Sequence, residues 1–308
     1  MTEQQNQQQQ RYEDEIDLKE LFIALWKGKW IIIAVTFVFA VGSVMYAINQ
    51  PNIYRSEALL APVEDSGGMN IPGQLGGLAA LAGVNLGGSG GGKVALALEV
   101  LKSREFLGRF IEKYDLKAPI MAAENWNRGN NTLVFDGEVY NPETNEWVRE
   151  APAGRQKEPS LIEVYEELSK LLSVSQDTQT GMVKISIEHY SPYLAKNWVE
   201  LLVNEINEEM RNREMTEASN SIQYLESQLS ATNLAEAQSM LFSLIEEQTK
   251  TLMLANVRPE YILRTLDPAI VPELKAKPSR AFICILGIML GGMLSCLYVL
   301  IRYFQKKD

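Results

Sequence analysis

The chain has 308 residues, 39 acidic against 29 basic side chains and a formal net charge of −10, with one histidine and two cysteines. An acidic balance of this size argues against a nucleic-acid partner. Both cysteines, Cys284 and Cys296, fall inside one apolar run, so with a single histidine the rest of the chain has no His/Cys set for zinc, and no cofactor is expected.

Residues 1–10 are Gln-rich and polar and are expected to lack a fixed structure. In the following EDEIDLKELFIALWKGKW, Asp17 with Glu20 three positions later reads as a capping box, and Leu18, Leu21, Phe22, Leu25 and Trp26 form one apolar helix face. This helix is expected at the membrane surface, with Trp26 and Trp30 at the interface, either as a plain anchor or as a protein contact.

The run Trp30–Ile48 carries no charge, and neither does the run Ala281–Ile301 near the other end. As helices they are roughly 28 and 31 Å long, matching the hydrocarbon core of a bilayer. The first is too long for the apolar region of a secretory signal and no small-x-small cleavage site follows it. Lys19, Lys27 and Lys29 precede the first span and only Arg55 follows closely, so the positive-inside rule puts the N-terminus in the cytoplasm. Two spans return the C-terminus to the same side, where Arg302, Lys306 and Lys307 fit. Lys275, Lys277 and Arg280 belong to a long translocated loop, where the rule is weak. The expected organisation is a cytoplasmic tail with an amphipathic helix (1–29), span one (30–48), an exported domain (49–280), span two (281–301) and a short cytoplasmic tail (302–308). Tails of this length are expected to hold no ATPase, kinase or signalling module.

Within the exported domain, IYRSEALLAPV reads as a strand after Pro51, and Gly67–Gly92 as a flexible Gly-rich stretch with an Ala/Leu island. Residues 94–114 have helical spacing. Asn131–Glu150 reads as a strand pair, TLVFDGEVY and EWVRE, joined by NPETN. Leu161, Tyr165, Leu168 and Leu172 mark a helix, and LLSVSQ with MVKISIE a second hairpin turning at Asp177–Gly181. Ser191-Pro192 then opens the longest element, with serine as N-cap and proline at the first position. No Gly or Pro interrupts it up to Arg258. It is either one helix of about 65 residues, near 100 Å long, or two helices broken near Thr232–Asn233. YILRTLDPAIVP reads as a strand leading back toward span two. Strands at both ends of the exported region suggest one sheet near the membrane. The expected class is α+β: a membrane-proximal mixed α/β base with a long projecting helix, flanked by two transmembrane helices.

Gly87–Lys93 nearly matches a phosphate-binding loop, but Val94 stands where the Mg²⁺-binding hydroxyl belongs and no apolar strand leads into it, so no nucleotide partner is expected. His189, at a strand end, has no nucleophile elbow to serve and reads as structural. Carboxylates such as Glu163, Glu166 and Glu167 read as a solvated helix face, although paired catalytic carboxylates are not removed by sequence alone. Two features remain. Gly287-x-x-x-Gly291, with Gly292 adjacent, spaces small residues so that two membrane helices can approach closely. Pro268, Pro272 and Pro278 form a semi-rigid approach to span two, or simply end a strand.

Four features taken together resemble the polysaccharide co-polymerases, and within them the O-antigen chain-length determinants of Wzz type. They are EIDLKELFIALWKGKW before span one, IYRSEALLAP after it, a long helix with a late QLS…LIEEQTK region, and Pro268, Pro272 and Pro278-Ser279-Arg280 before a span containing GIMLGGM. The resemblance covers essentially the whole chain, with a departure at ELKAK between Pro272 and Pro278. It implies a non-enzymatic regulator of lipopolysaccharide O-antigen length, assembled as a ring or bell of identical subunits in the bacterial inner membrane. The implied partners are the O-antigen polymerase and the growing polysaccharide, with Pro268, Pro272, Pro278, Gly287, Gly291 and Gly292 as candidates for polymerase coupling or helix contact. Other readings are the exported half of a split tyrosine-kinase system for capsule or exopolysaccharide, a periplasmic ligand sensor, and a membrane-anchored glycan hydrolase or polymerase.

Overall fold

A computed structural model of the chain describes residues 18–63, 89–151, 153–232 and 234–305. The expectations for residues 1–10, the Asp17 cap, the Gly-rich run up to position 88, and Lys306 and Lys307 lie outside the described residues, as does Asn233 itself. The chain divides into two compact units. One holds residues up to Pro51 and from Lys277 on, the other Asn52–Ala276.

The first unit is helical. α1 (Leu18–Lys27) is followed, after Gly28, by α2 (Lys29–Asn49), and α9 (Arg280–Gln305) packs along α2. Both α2 and α9 are long and apolar enough to cross a membrane, and most of their side chains are not buried within the protein. Phe37 and Met293 are among the exposed ones. That is the pattern of helices whose outer surface faces lipid, rather than of a soluble core.

The second unit is α+β. Its sheet runs β6 (Leu172–Gln176), β7 (Val183–His189), β1 (Tyr54–Pro62), β8 (Leu263–Asp267), with every neighbouring pair antiparallel. Period-two alternation sets its faces. Ser56, Ala58 and Leu60 of β1 and Val183, Ile185 and Ile187 of β7 point into the core. On the other face the cross-strand pair Arg55–Glu188 is bridged at 3.2 Å, and Glu57 meets Lys184 at 3.3 Å. A one-residue slip would bury these charges, so the pattern fixes the register.

The core side is covered by the first turns of α7 (Pro192–Ala231), through Ala195, Trp198, Val199, Leu202 and Ile206. Around it lie α3 (Ser89–Lys102), α4 (Arg104–Lys113), α5 (Lys117–Met121) and α6 (Leu161–Leu171). The helical spacing over 94–114 is two helices, because the Ser103 hydroxyl accepts from Phe106 N–H and starts α4 there. The hairpin at Asp177–Gly181 closes as expected: Asp177 accepts from the Gln179 and Thr180 N–H groups, and Gly181 takes the left-handed φ of +70°.

One expectation needs correcting. TLVF does not pair with EWVRE. β3 (Thr132–Phe135) instead pairs with β2 (Ala123–Asn127), and Tyr140–Asn141 (β4) with Glu146–Trp147 (β5) makes a separate short ladder. The Asp136 carboxylate accepts from Glu138 N–H and turns the chain there, cutting TLVFDGEVY in two. Of the two readings of the long element, the structure takes the broken one. α7 ends at Ala231, Thr232 and Leu234 are extended, and α8 (Ala235–Val257) packs back on α7. The Gln238 side chain donates to Thr232 carbonyl and secures the corner.

Asn207 closes this helical hairpin. On α7, and 4 % exposed, it accepts from the Ile262 and Leu263 N–H groups at 2.9 and 3.0 Å and donates to the Leu263 carbonyl at 3.0 Å and to its own helix at Val203. One side chain thereby satisfies the backbone at the start of β8, where an unpaired buried group costs about 1–3 kcal/mol. Asn207→Leu strands three such groups. It is expected to lower the full-length protein's stability by at least about 2 kcal/mol in a denaturant titration, whereas Asn212→Leu, on the exposed side of the same helix, is expected to change it little.

Candidate functional site

The six candidate positions divide between the units. Pro268 and Pro272 lie in the α/β unit; Pro278 and the three glycines lie in the helical unit. Pro268 directly follows β8 and is exposed, and Pro272 is half-buried. The stretch after β8 runs back along the start of β1: Ser56 Oγ donates to the Ile270 carbonyl at 2.7 Å, and Ala276 N–H donates to the Ile53 carbonyl at 2.8 Å. Proline lacks an N–H and is tolerated on such an edge because no ladder bond is asked of it there. Ile270 and Leu274 in this stretch are 67 % and 85 % exposed. The Lys277–Pro278 peptide bond is cis.

The glycines form a contact face. A Cβ placed on Gly287 would run into the side chain of Ser43, and one on Gly291 would meet Phe39 Cβ at 2.6 Å. Gly292 is looser, with Thr36 Oγ1 at 4.0 Å as its nearest neighbour. The seam is longer than the two-glycine motif. Along α9 it continues at intervals of four through Ser295, fully buried, to Val299, 5 % exposed. A Cβ on Gly28, between α1 and α2, would strike Val299. The Ser43 and Ser295 hydroxyls bond within their own helices, to the Ala40 and Gly292 carbonyls. They act in the seam as small residues, and along the seam the helices are joined by close backbone approach, while at its end the Arg280 guanidinium donates to the Gln50 carbonyl at 3.4 Å. Gly28 and Val299 escape sequence reasoning, since KGK reads only as a charged flank. Ser295 was detectable as the next step of the row Gly287, Gly291.

The other positions weighed from sequence have structural occupations. Lys93 lies within α3 and pairs with Glu214 of α7 at 2.7 Å, while Gly87 and Gly88 of the near phosphate loop lie outside the described residues. His189 is buried against Trp198, ring centroids 4.8 Å apart. Its Nδ1 accepts from Ser191 N–H, so Nε2 carries the proton and donates to the Pro119 carbonyl at 3.1 Å. Burial pushes its pKa below the ordinary value, and the Pro119 contact pulls weakly the other way.

Glu163 is not on a solvated helix face. It is 7 % exposed, closes a capping box with Ser160, and accepts from Arg149 at 2.9 Å, with Arg155 at 3.3 Å. Burial alone would raise its pKa, but the Ser160 N–H and the Arg149 guanidinium hold it down at about 2. Among the described residues no group of three or more His, Cys, Asp or Glu could hold a metal ion.

Two outcomes follow from this geometry. Gly291→Ala forces a Cβ onto Phe39 and is expected to lower the melting temperature of the full-length protein in detergent, an overpacking cost of about 1–3 kcal/mol. Gly292→Ala, whose Cβ would meet only Thr36 Oγ1 at 4.0 Å, is expected to leave it unchanged. The second concerns His189. Its folded pKa is lowered, so the unfolded chain binds the proton first. Its contribution is complete above about pH 6.5 and is lost as pH falls below that value. The melting temperature should therefore fall between pH 7.5 and 5.5, and His189→Gln should flatten that slope.

The family model "chain length determinant protein" (Wzz) matches residues 14–114, which span α1, α2, β1, α3 and α4. A second, "G-rich domain on putative tyrosine kinase" (GNVR), matches residues 236–304, which take in α8, β8 and α9. No curated protein matches the chain. Among solved structures, a full-length bacterial polysaccharide co-polymerase aligns at 15 % identity over 96 % of this chain and 99 % of its own, with a TM-score of 0.39. A fragment of the polysaccharide co-polymerase WzzB from Salmonella Typhimurium aligns at 13 % identity over 73 % and 100 %, with a TM-score of 0.29. The chain length determinant match thus runs from the leading helix through the first apolar helix to the first strand and its covering helices, and over that stretch the chain is similar to the Wzz-type polysaccharide co-polymerases.

Proposed function

We propose that this protein is a non-enzymatic regulator that sets the modal length of lipopolysaccharide O-antigen. It sits in the bacterial inner membrane with both termini cytoplasmic and residues 49–280 in the periplasm. It works as a homo-oligomer, a ring or bell that organises the O-antigen polymerase beside it and engages the growing polysaccharide. The observation that carries this reading is the chain length determinant match over residues 14–114. The contact seam of α9 supports a mechanical role: Gly287 and Gly291 fix how α9 sits on α2, and the Pro268–Pro278 stretch leads into α9. In this reading those positions transmit the state of the periplasmic domain to the polymerase, and Gly292, with nothing nearer than Thr36 Oγ1 at 4.0 Å, is the looser contact on the same helix.

The G-rich match over residues 236–304 favours a second reading, the exported half of a split co-polymerase and tyrosine-kinase system for capsule or exopolysaccharide. Deleting the gene and resolving the surface polysaccharide on a gel separates the two. Polymer that is still made but has lost its modal band supports the length regulator. Complete loss of polymer points to the kinase-linked assembly role, and an unchanged ladder sinks both. Complementation with Gly287→Leu/Gly291→Leu is expected to shift the modal length while the protein still inserts in the membrane.

A further inference from the structure

Where α8 folds back on α7 the two helices leave an open groove of about 860 Å³, within the range of ligand-binding clefts. Its α7 wall is the row Asn212, Thr216, Asn220, Tyr224, spaced by four and all exposed. Its α8 wall includes Leu244 and Gln248. A row from 212 to 224 is about 18 Å long, enough for a short run of sugar rings. We infer that this groove binds a stretch of the growing polysaccharide, as a neutral polyhydroxyl chain laid along α7. The inference rests on the polysaccharide-handling reading above and adds the place where the polymer is held.

The chemistry of the walls selects the occupant. Amide side chains both donate and accept, and the Thr216 hydroxyl does the same, which is what successive sugar hydroxyls need. The Tyr224 ring, 64 % exposed, and Leu244 offer apolar surface to the C–H face of a sugar ring. Glu209 and Glu217 also line the groove and oppose a phosphate-rich or nucleic-acid ligand. A second copy of the chain fits it poorly. The centres of protein interfaces are depleted in Glu and Ser and in charge generally, whereas this lining is mostly amide, hydroxyl and carboxylate. Of the apolar side chains that α8 exposes, Leu244 lines the groove, whereas Met240, Phe242, Met253 and Val257 lie outside its lining. Part of the Glu209 charge is already met by Arg109 at 3.0 Å and Arg213 at 3.7 Å.

The test uses the full-length protein in lipid nanodiscs. The probe is the surface polysaccharide of the source bacterium, released by mild acid and size-fractionated. Binding is read by saturation-transfer NMR and titration. Tyr224→Ala/Asn220→Ala is expected to weaken binding by about tenfold or more, and Gln248→Leu, on the opposite wall, to weaken it independently. Helical content and assembly size are expected to stay those of the parent chain. Equal affinity in parent and variants overturns the groove, as does a parent chain that binds none of the fractions. A variant whose assembly size changes while its binding does not would show that the groove is a contact between copies, and overturns it too. The length-regulator reading is decided separately by the deletion gel: a lost modal band together with unaltered groove variants would keep the function and discard this site.

Discussion

β1 is an interior strand, hydrogen-bonded to β7 on one side and to β8 on the other. It is also the first element after α2, and β8 is the last before α9. Sheet closure therefore has to bring together two segments some 200 residues apart, with the Ala276–Ile53 and Ser56–Ile270 bonds extending the contact past the end of the ladder. Long-range antiparallel pairing of this kind is slow to form and gains nothing until the intervening chain has been organised. The intervening helices serve that end: they bury one face of β1 and β7 under Trp198, Leu202 and Ile206, and leave the opposite face to ion pairs.

The helical unit is held by different physics. In lipid there is little hydrophobic gain from joining two apolar helices, so the attraction comes from close packing. Gly287, Gly291, Ser295 and Val299 on α9 face a partner that offers no hydrogen bond across the seam from Ser43. Along these residues the contact is set by shape, and the Arg280–Gln50 bond closes one end of it. It tolerates sliding poorly.

Much of this was legible in the residues. Caps and periodicity located β1, the β6–β7 hairpin, α6 and the start of α7 at Ser191-Pro192, because each is fixed by local chemistry. What escaped was decided by contacts distant in sequence. TLVF has the same alternation whichever strand it pairs with, and only Asp136 turning the chain directs it to β2. Glu163 looks like its neighbours Glu166 and Glu167 until Arg149 and Arg155 are brought over it. The break after α7 was one of two readings of the long element; with no Gly or Pro there to decide it, the choice falls to α8 folding back and to the Gln238–Thr232 bond. Of the candidate site, the spacing of Gly287 and Gly291 was visible, but their partners Phe39 and Ser43 were not, since a sequence does not say which face of the other span they meet.

The pin at Asn207 separates two kinds of freedom. Everything from residue 208 to 261 leaves the sheet along α7 and returns along α8 to the same side chain. The sheet therefore feels only where the excursion begins and ends, not how far it reaches. Two turns added to each arm in step would lengthen the hairpin by about 11 Å and leave the Asn207 bonds, the strand register and the helical unit as they are. Reach is thus an independently adjustable dimension of this architecture, open to change by insertion or deletion without refolding the base.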